Sequence, residues 1–300
     1  FRGVVTIHMR RRQFVRATGA AGVAGLTGLA GCTGAVPGGG GDTFTIGVLG
    51  PKTGPLSTLW SFYEENIELA IDQINGDGNV VHDGGGIDAG GSTREVDYVA
   101  YDTESKPNVG VSAAERLVDS DGVSVMLGAM SSTTTLAIME VSKSKQVPQI
   151  TSVSVNQKIT GSAWHEYMFR NKDTDTIRAK WITRAIAEET DVDSIGMIGP
   201  NNDFGVGRME TFAGRLEERG VTTTTQQAVN PDQRSFLTEL EKIRNSGAEA
   251  LYLVINDPIH GELMIPEARQ VGFETIVGTG PVGVPEMPKK VGDPLDDVYV

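Results

Sequence analysis

The residues with the densest capacity for chemistry lie in 122–135, GVSVMLGAMSSTTT. Val123, Val125 and Leu127 alternate with Ser124 and Met126, which reads as a short buried strand. Gly128 ends it, Ser131, Ser132 and three threonines follow, and helical spacing resumes over 136–141. A strand that runs into a hydroxyl-rich turn at a helix N-terminus gathers backbone N–H and side-chain O–H donors at one point. In an open parallel sheet that point lies at the carboxyl edge, where ligands bind. The alternative role for Ser131 or Ser132 is a helix cap. A second turn of the same kind, Ser152-Val153-Ser154-Val155, follows the strand read over 148–151. Neither turn holds a lysine or arginine, so dipoles and hydrogen bonds would have to hold negative charge there. That suits a single carboxylate or a polar amide better than a phosphate.

Enzyme signatures are missing from the sequence. Residues 50–54 lack the G-K-[ST] end of a phosphate-binding loop, and Gly128-Ala129-Met130-Ser131-Ser132 lacks the spacing of a nucleophile elbow. His8, His82, His165 and His260 stand apart from one another and from the lone Cys32, so neither a metal nor another cofactor is expected. Hydroxyls, amides and an aromatic at successive strand ends fit binding better than turnover.

The elements that must position these groups alternate. Strands are predicted over 44–49, 95–101, 122–127 and 148–151, with helices over 64–75, 109–119 and 136–144. On the first helix Ile67, Ala70, Ile71 and Ile74 form the face expected to turn inward, and 76–91 reads as a surface loop. The pattern restarts with strands over 167–170, 194–198, 221–227, 250–255, 275–278 and 298–300. Helices are predicted over 176–189, 205–219, 234–245 and 259–271, the second with Met209, Phe212, Ala213 and Leu216 inward. Strand–helix alternation implies parallel sheets with right-handed crossovers, here as two α/β lobes joined near 167–171.

The first forty residues are an address and not part of the fold. Arg11-Arg12-Gln13-Phe14-Val15 matches a twin-arginine export pattern, and 17–31 is uncharged but too short and glycine-rich to span a membrane. Leu29-Ala30-Gly31-Cys32 resembles a lipoprotein cleavage box, which makes Cys32 the expected lipid anchor. A glycine-rich tether follows. The expectation is export and attachment to the outer face of a membrane. The chain of 300 residues carries a formal charge of −13, and every acidic residue lies at or beyond Asp42. Such a surface excludes nucleic acid as a partner and suits a salt-loving source.

In order along the chain stand Gly50-Pro51, Gly54-Pro55-Leu56, 68–75 (ELAIDQIN), Tyr101-Asp102, Leu117-Val118, Gly128 with Ser131-Ser132, Phe169-Arg170, 204–207 (FGVG) and 268–273 (ARQVGF). The ordered set resembles the solute-binding proteins of ABC transporters for branched-chain amino acids and their relatives, over 44–300. The resemblance implies a type I periplasmic-binding fold: two doubly wound parallel-sheet lobes closing on a ligand in the cleft between them. By position it implies Ser132, with Ser131, as the hydroxyl site for a ligand carboxylate, and Val153, Ser154 and Val155 as a second strip of contacts. Trp60, or Leu59, would wall the side-chain pocket, and Phe204 and Asp257 would contact ligand from the second lobe. Val282 stands where relatives often place a carboxylate for an α-ammonium, which puts an amino-acid ligand in doubt. It further implies lobes over 44–167 and 168–297 after an export signal (1–31) and tether (32–43). Residues 298–300 would begin a return crossing, with a further segment needed to complete the first lobe. The implied partners are a small solute and a membrane permease, and the implied state is a monomer. A sensor on the same fold, or an α/β enzyme, stays open as an alternative.

Overall fold

The computed structural model describes residues 43–76, 84–88, 91–279, 291–292 and 298–299. Strand β1 (Thr43–Gly50) is followed by a short 3-10 turn and helix α1 (Trp60–Asn75). Then come β2 (Ile87–Asp88), β3 (Thr93–Asp102), α2 (Pro107–Asp119), β4 (Val125–Gly128), α3 (Ser132–Lys145), β5 (Gln149–Thr151) and β6 (Met168–Arg170). These strands form one sheet in the order β2-β3-β1-β4-β5-β6, parallel except for the two-residue β2.

The second half runs α4 (Asp175–Glu189), β7 (Ser194–Pro200), α5 (Asp203–Glu217), β8 (Thr222–Val229), α6 (Leu237–Asn245), β9 (Ala250–Leu253), α7 (Pro258–Gln270), β10 (Thr275–Gly278) and β11 (Val298–Tyr299). Its sheet is wholly parallel, in the order β11-β10-β9-β7-β8. Strands β7 and β9 are apolar and covered on both faces, so Met197, Ile198, Leu251, Tyr252 and Leu253 are fully buried. The core continues into the helices through Phe212 and Leu216 on α5 and Met264 and Ile265 on α7.

Each sheet reverses its winding once. In the first, β1 is flanked by β3 on one side and β4 on the other; in the second, β7 is flanked by β8 and β9. At such a switch point the loops leaving adjacent strands diverge and open a crevice. Gly128 makes the first one possible. It ends β4 at φ +128°, and a Cβ there would sit 2.2 Å from the Leu49 carbonyl oxygen of β1.

Several expected boundaries move. Helix α3 begins at Ser132 and not at 136, because the hydroxyl side chains of Thr134 and Thr135 are buried within its first turn. Helix α1 starts at Trp60, earlier than the 64 read from sequence, and α6 starts later than read, at Leu237. The face Ile67, Ala70, Ile71 and Ile74 is not a buried one: Ala70 is exposed, the three isoleucines are half-covered, and Trp60 is the buried residue of α1. The lobe boundary expected after 167 shifts past Arg170, since β6 pairs with β5 in the first sheet. Val298 and Tyr299 pair with β10 in the second sheet. Cys32, the arginine pair and Val282 lie outside the described residues.

Candidate functional site

The loops that leave both switch points line one cavity of about 200 Å³. From the first lobe come Leu56 and Leu59 after β1, Met130, Ser131 and Ser132 after β4, and Val153, Ser154 and Val155 after β5. From the second come Phe204 and Arg208 on α5 after β7, and Ile255 and Asn256 after β9. Lys172, on the crossing between β6 and α4, and Arg178 on α4 complete the lining.

Ser131 occupies the cap position of α3, but its hydroxyl makes no cap bond. Ser132 is 2% exposed, and its Oγ accepts only a long bond, 3.4 Å, from the Asn156 backbone N–H. The capping role therefore does not account for either hydroxyl. Ser154 differs. Its Oγ lies 2.7 Å from Thr135 Oγ1, and both, with Thr151 Oγ1, lie within 3.0–3.2 Å of the Ala129 carbonyl oxygen. The Ser154 hydroxyl is thus committed to bracing the two turns against each other, although the residue lines the cavity.

Electrostatics come from the second lobe and the crossing. Arg208 is 3% exposed and donates from Nε to Asp175 Oδ1 at 2.6 Å, with Nη2 paired to the same oxygen. Its guanidinium also lies over the Phe204 ring, 4.8 Å from the centroid. Asp175 is fully buried, which holds its carboxyl above the usual range against the pull of Arg208, and its Oδ2 finds no partner among the described residues. Arg178 grips Asp173 through Nε (2.5 Å) and Nη2 (3.2 Å), and that pairing keeps the Asp173 carboxyl below the usual range. Lys172 Nζ lies 3.4 Å from the same carboxylate.

The lobes also touch directly beside the cavity. The Asp203 N–H donates to Thr133 Oγ1 at 3.1 Å, and Asn156 Nδ2 donates to the Asp203 carbonyl. The Asp175 N–H donates to the Val155 carbonyl at 3.0 Å at the crossing itself.

Six of the residues singled out from sequence therefore surround one space: Ser131, Ser132, Val153, Ser154, Val155 and Phe204. Trp60 does not reach it. Its ring is 6% exposed, packs over Gly50, and donates its indole N–H to Glu64 Oε2 at 2.9 Å, while the neighbouring Leu59 lines the cavity. Asp257 accepts the Ile259 N–H at 3.0 Å and caps α7, leaving Asn256 to face the space. Lys172, Arg178 and Arg208 were not read from sequence as site residues. The available signals were the charge-rich crossing 170–178 and the i,i+4 spacing of Phe204 and Arg208. Among the described residues no group of three or more His, Cys, Asp or Glu is placed to hold a metal ion, and no helix is long and apolar enough to cross a membrane.

A family model described as periplasmic binding protein matches residues 43–300. A leucine-, isoleucine-, valine-, threonine- and alanine-binding protein of Pseudomonas aeruginosa is 24% identical over 253 residues, 84% of this chain and 64% of that protein. The chain thus spans under two thirds of that relative's length. Among solved structures, a leucine-binding protein from Thermotoga maritima superposes with a TM-score of 0.72 at 22% identity, covering 84% of this chain and 67% of that one. An ABC-transporter solute-binding protein from Rhodopseudomonas palustris, in complex with 4-hydroxybenzoate, gives 0.68 at 18% identity, covering 83% and 65%. These likenesses show the fold: two doubly wound lobes of the type I periplasmic-binding kind.

Proposed function

Because the chain belongs to the periplasmic binding protein family, we propose that it is the extracytoplasmic receptor of an ABC importer, delivering a small carboxylate-bearing solute to a membrane permease. The observation that carries this reading is the single cavity at which the switch points of both sheets meet. Its size, about 200 Å³, falls below the roughly 300–1,000 Å³ of drug-sized sites, so the solute is small.

In this reading the first lobe receives the carboxylate at Ser132, where the hydroxyl and the N-terminal amides of α3 converge. Leu59, Met130, Val153 and Phe204 enclose the body of the solute. A ligand touching both lobes stabilises the closed arrangement by its greater affinity for it, and the Thr133–Asp203 and Asn156–Asp203 bonds add to the closed state alone. The names of the relatives span branched-chain amino acids and 4-hydroxybenzoate, both small carboxylates.

Calorimetric titration with a panel of such acids tests the reading. One acid should bind with unit stoichiometry, and Ser132→Ala should weaken it by ~1–3 kcal/mol, the range for losing a hydrogen bond to a charged group. An unchanged affinity would return Ser132 to a structural role in α3.

The anchor rests on the Leu29-Ala30-Gly31-Cys32 box and the upstream arginine pair. Cys32→Ser should leave the precursor unprocessed or release it into the medium, as cell fractionation would show. Processed Cys32→Ser protein that still sediments with membranes would refute acylation at this cysteine. A single acyl chain binds only marginally, so two chains are expected on the anchor.

A further inference from the structure

The sign of the cleft opposes the sign of the protein. The chain carries −13, yet Lys172, Arg178 and Arg208 line the cavity and, among the described residues, no Asp or Glu does. The nearest carboxylates are already engaged: Asp173 by Arg178 and Lys172, and Asp175 by Arg208. Of the two other acids that adjoin lining residues in sequence, Asp257 is spent on the N-terminus of α7, and Asp203 sits in the first turn of α5 outside the lining. Three lining cations set against the two carboxylates that they bind leave positive charge in a space half of whose lining side chains are apolar, where water screens it poorly.

An α-amino acid brings a carboxylate and an ammonium together. The hydroxyls and amides near Ser132 suit the first, but the second would enter beside cations with no carboxylate among the described lining residues to receive it, and a buried charge without a partner is strongly disfavoured. Building on the receptor reading, we propose that Lys172 and Arg178 form a charge-selecting subsite, which restricts the cleft to organic carboxylates that carry no ammonium group. Arg178 is held in place by its two bonds to Asp173, which occupy two of the five N–H donors of a guanidinium. Asp173 acts as the brace, and the remaining donors supply the field that an incoming anion meets. Arg208 is the deeper cation, pinned between Asp175 and Phe204.

Matched pairs differing only at the α-carbon test this, titrated calorimetrically into protein expressed from its complete gene. The pairs are isoleucine with 3-methyl-2-oxopentanoate, leucine with 4-methyl-2-oxopentanoate, and phenylalanine with 3-phenylpropanoate; 4-hydroxybenzoate is added alone. In the pair that binds, the acid without ammonium should bind at least tenfold tighter than the amino acid. Lys172→Gln and Arg178→Gln should each weaken that acid at least fivefold, and the double variant should bring the two members of the pair within threefold. Melting temperatures report whether the variants fold; if one does not, the wild-type ratio decides alone. An amino acid that binds as tightly as its partner acid, or tighter, overturns the charge selection and leaves the receptor reading standing. Silence of every probe in both titration and thermal shift overturns both.

Discussion

Arg208 joins the cavity wall to a buried ion pair. It is the one lining cation that is almost wholly buried, and its partner Asp175 is fully buried. A buried ion pair adds little net stability, because desolvation offsets the attraction. Removing one member is another matter, since the other is left charged and unpaired. Arg208→Ala should therefore cost about 3–5 kcal/mol of unfolding free energy, and Arg208→Met combined with Asp175→Leu should recover most of that loss. Chemical denaturation checks both; a mild effect of Arg208→Ala would mean that Asp175 is protonated or hydrated in the native state. Sequence alone could not point to this pair. Of the inward face read for its helix, Met209, Phe212 and Leu216 are buried and Ala213 is half-buried, but periodicity cannot say that a charged residue shares that face. Ser132 was legible because it sits just after a strand, where chain order alone fixes the sheet edge, whereas Phe204 was implied only by the resemblance to solute-binding proteins.

At the scale of elements, the closing contact is made by the start of α5 against the turn after β5. Gly207 is fitted to it: a Cβ there would lie 2.5 Å from Asn156 Nδ2, the group that donates to Asp203. Gly207→Ala should push α5 away from this turn and hinder closure while leaving each lobe intact. We expect ligand affinity to fall about tenfold, equivalent to ~1.4 kcal/mol, with little change in melting temperature. Calorimetry reads the first and thermal denaturation the second; wild-type affinity in this variant would show that the contact is not part of the closed state. Element types were readable nearly throughout, and 275–278 coincides with β10. The misses share one cause. Thr133, Thr134 and Thr135 resemble a solvated turn in sequence, but Thr135 bonds the Ala129 carbonyl and Thr134 is buried, so tertiary packing draws them into α3. The sheet to which a three-residue strand such as β6 belongs is likewise set by its neighbour β5 and not by its own composition.

At the scale of the whole molecule, two acidic-surfaced lobes present their switch points to one basic, largely apolar cavity. Strand–helix alternation pointed to two α/β lobes, and Ser131 and Ser132 line the cavity between the sheets. The charge was not read from sequence, since it comes from the crossing and from a helix interior, outside the turns where ligand groups were sought. A solute seated between the Ser132 turn and Phe204 is tested most directly by a crystal structure of the protein grown with its tightest-binding probe acid. We predict density for that acid inside the cavity, with a carboxylate oxygen within about 3 Å of Ser132 Oγ and its body against Phe204. Density for the acid anywhere outside this cavity, with the two lobes apart, would contradict the account.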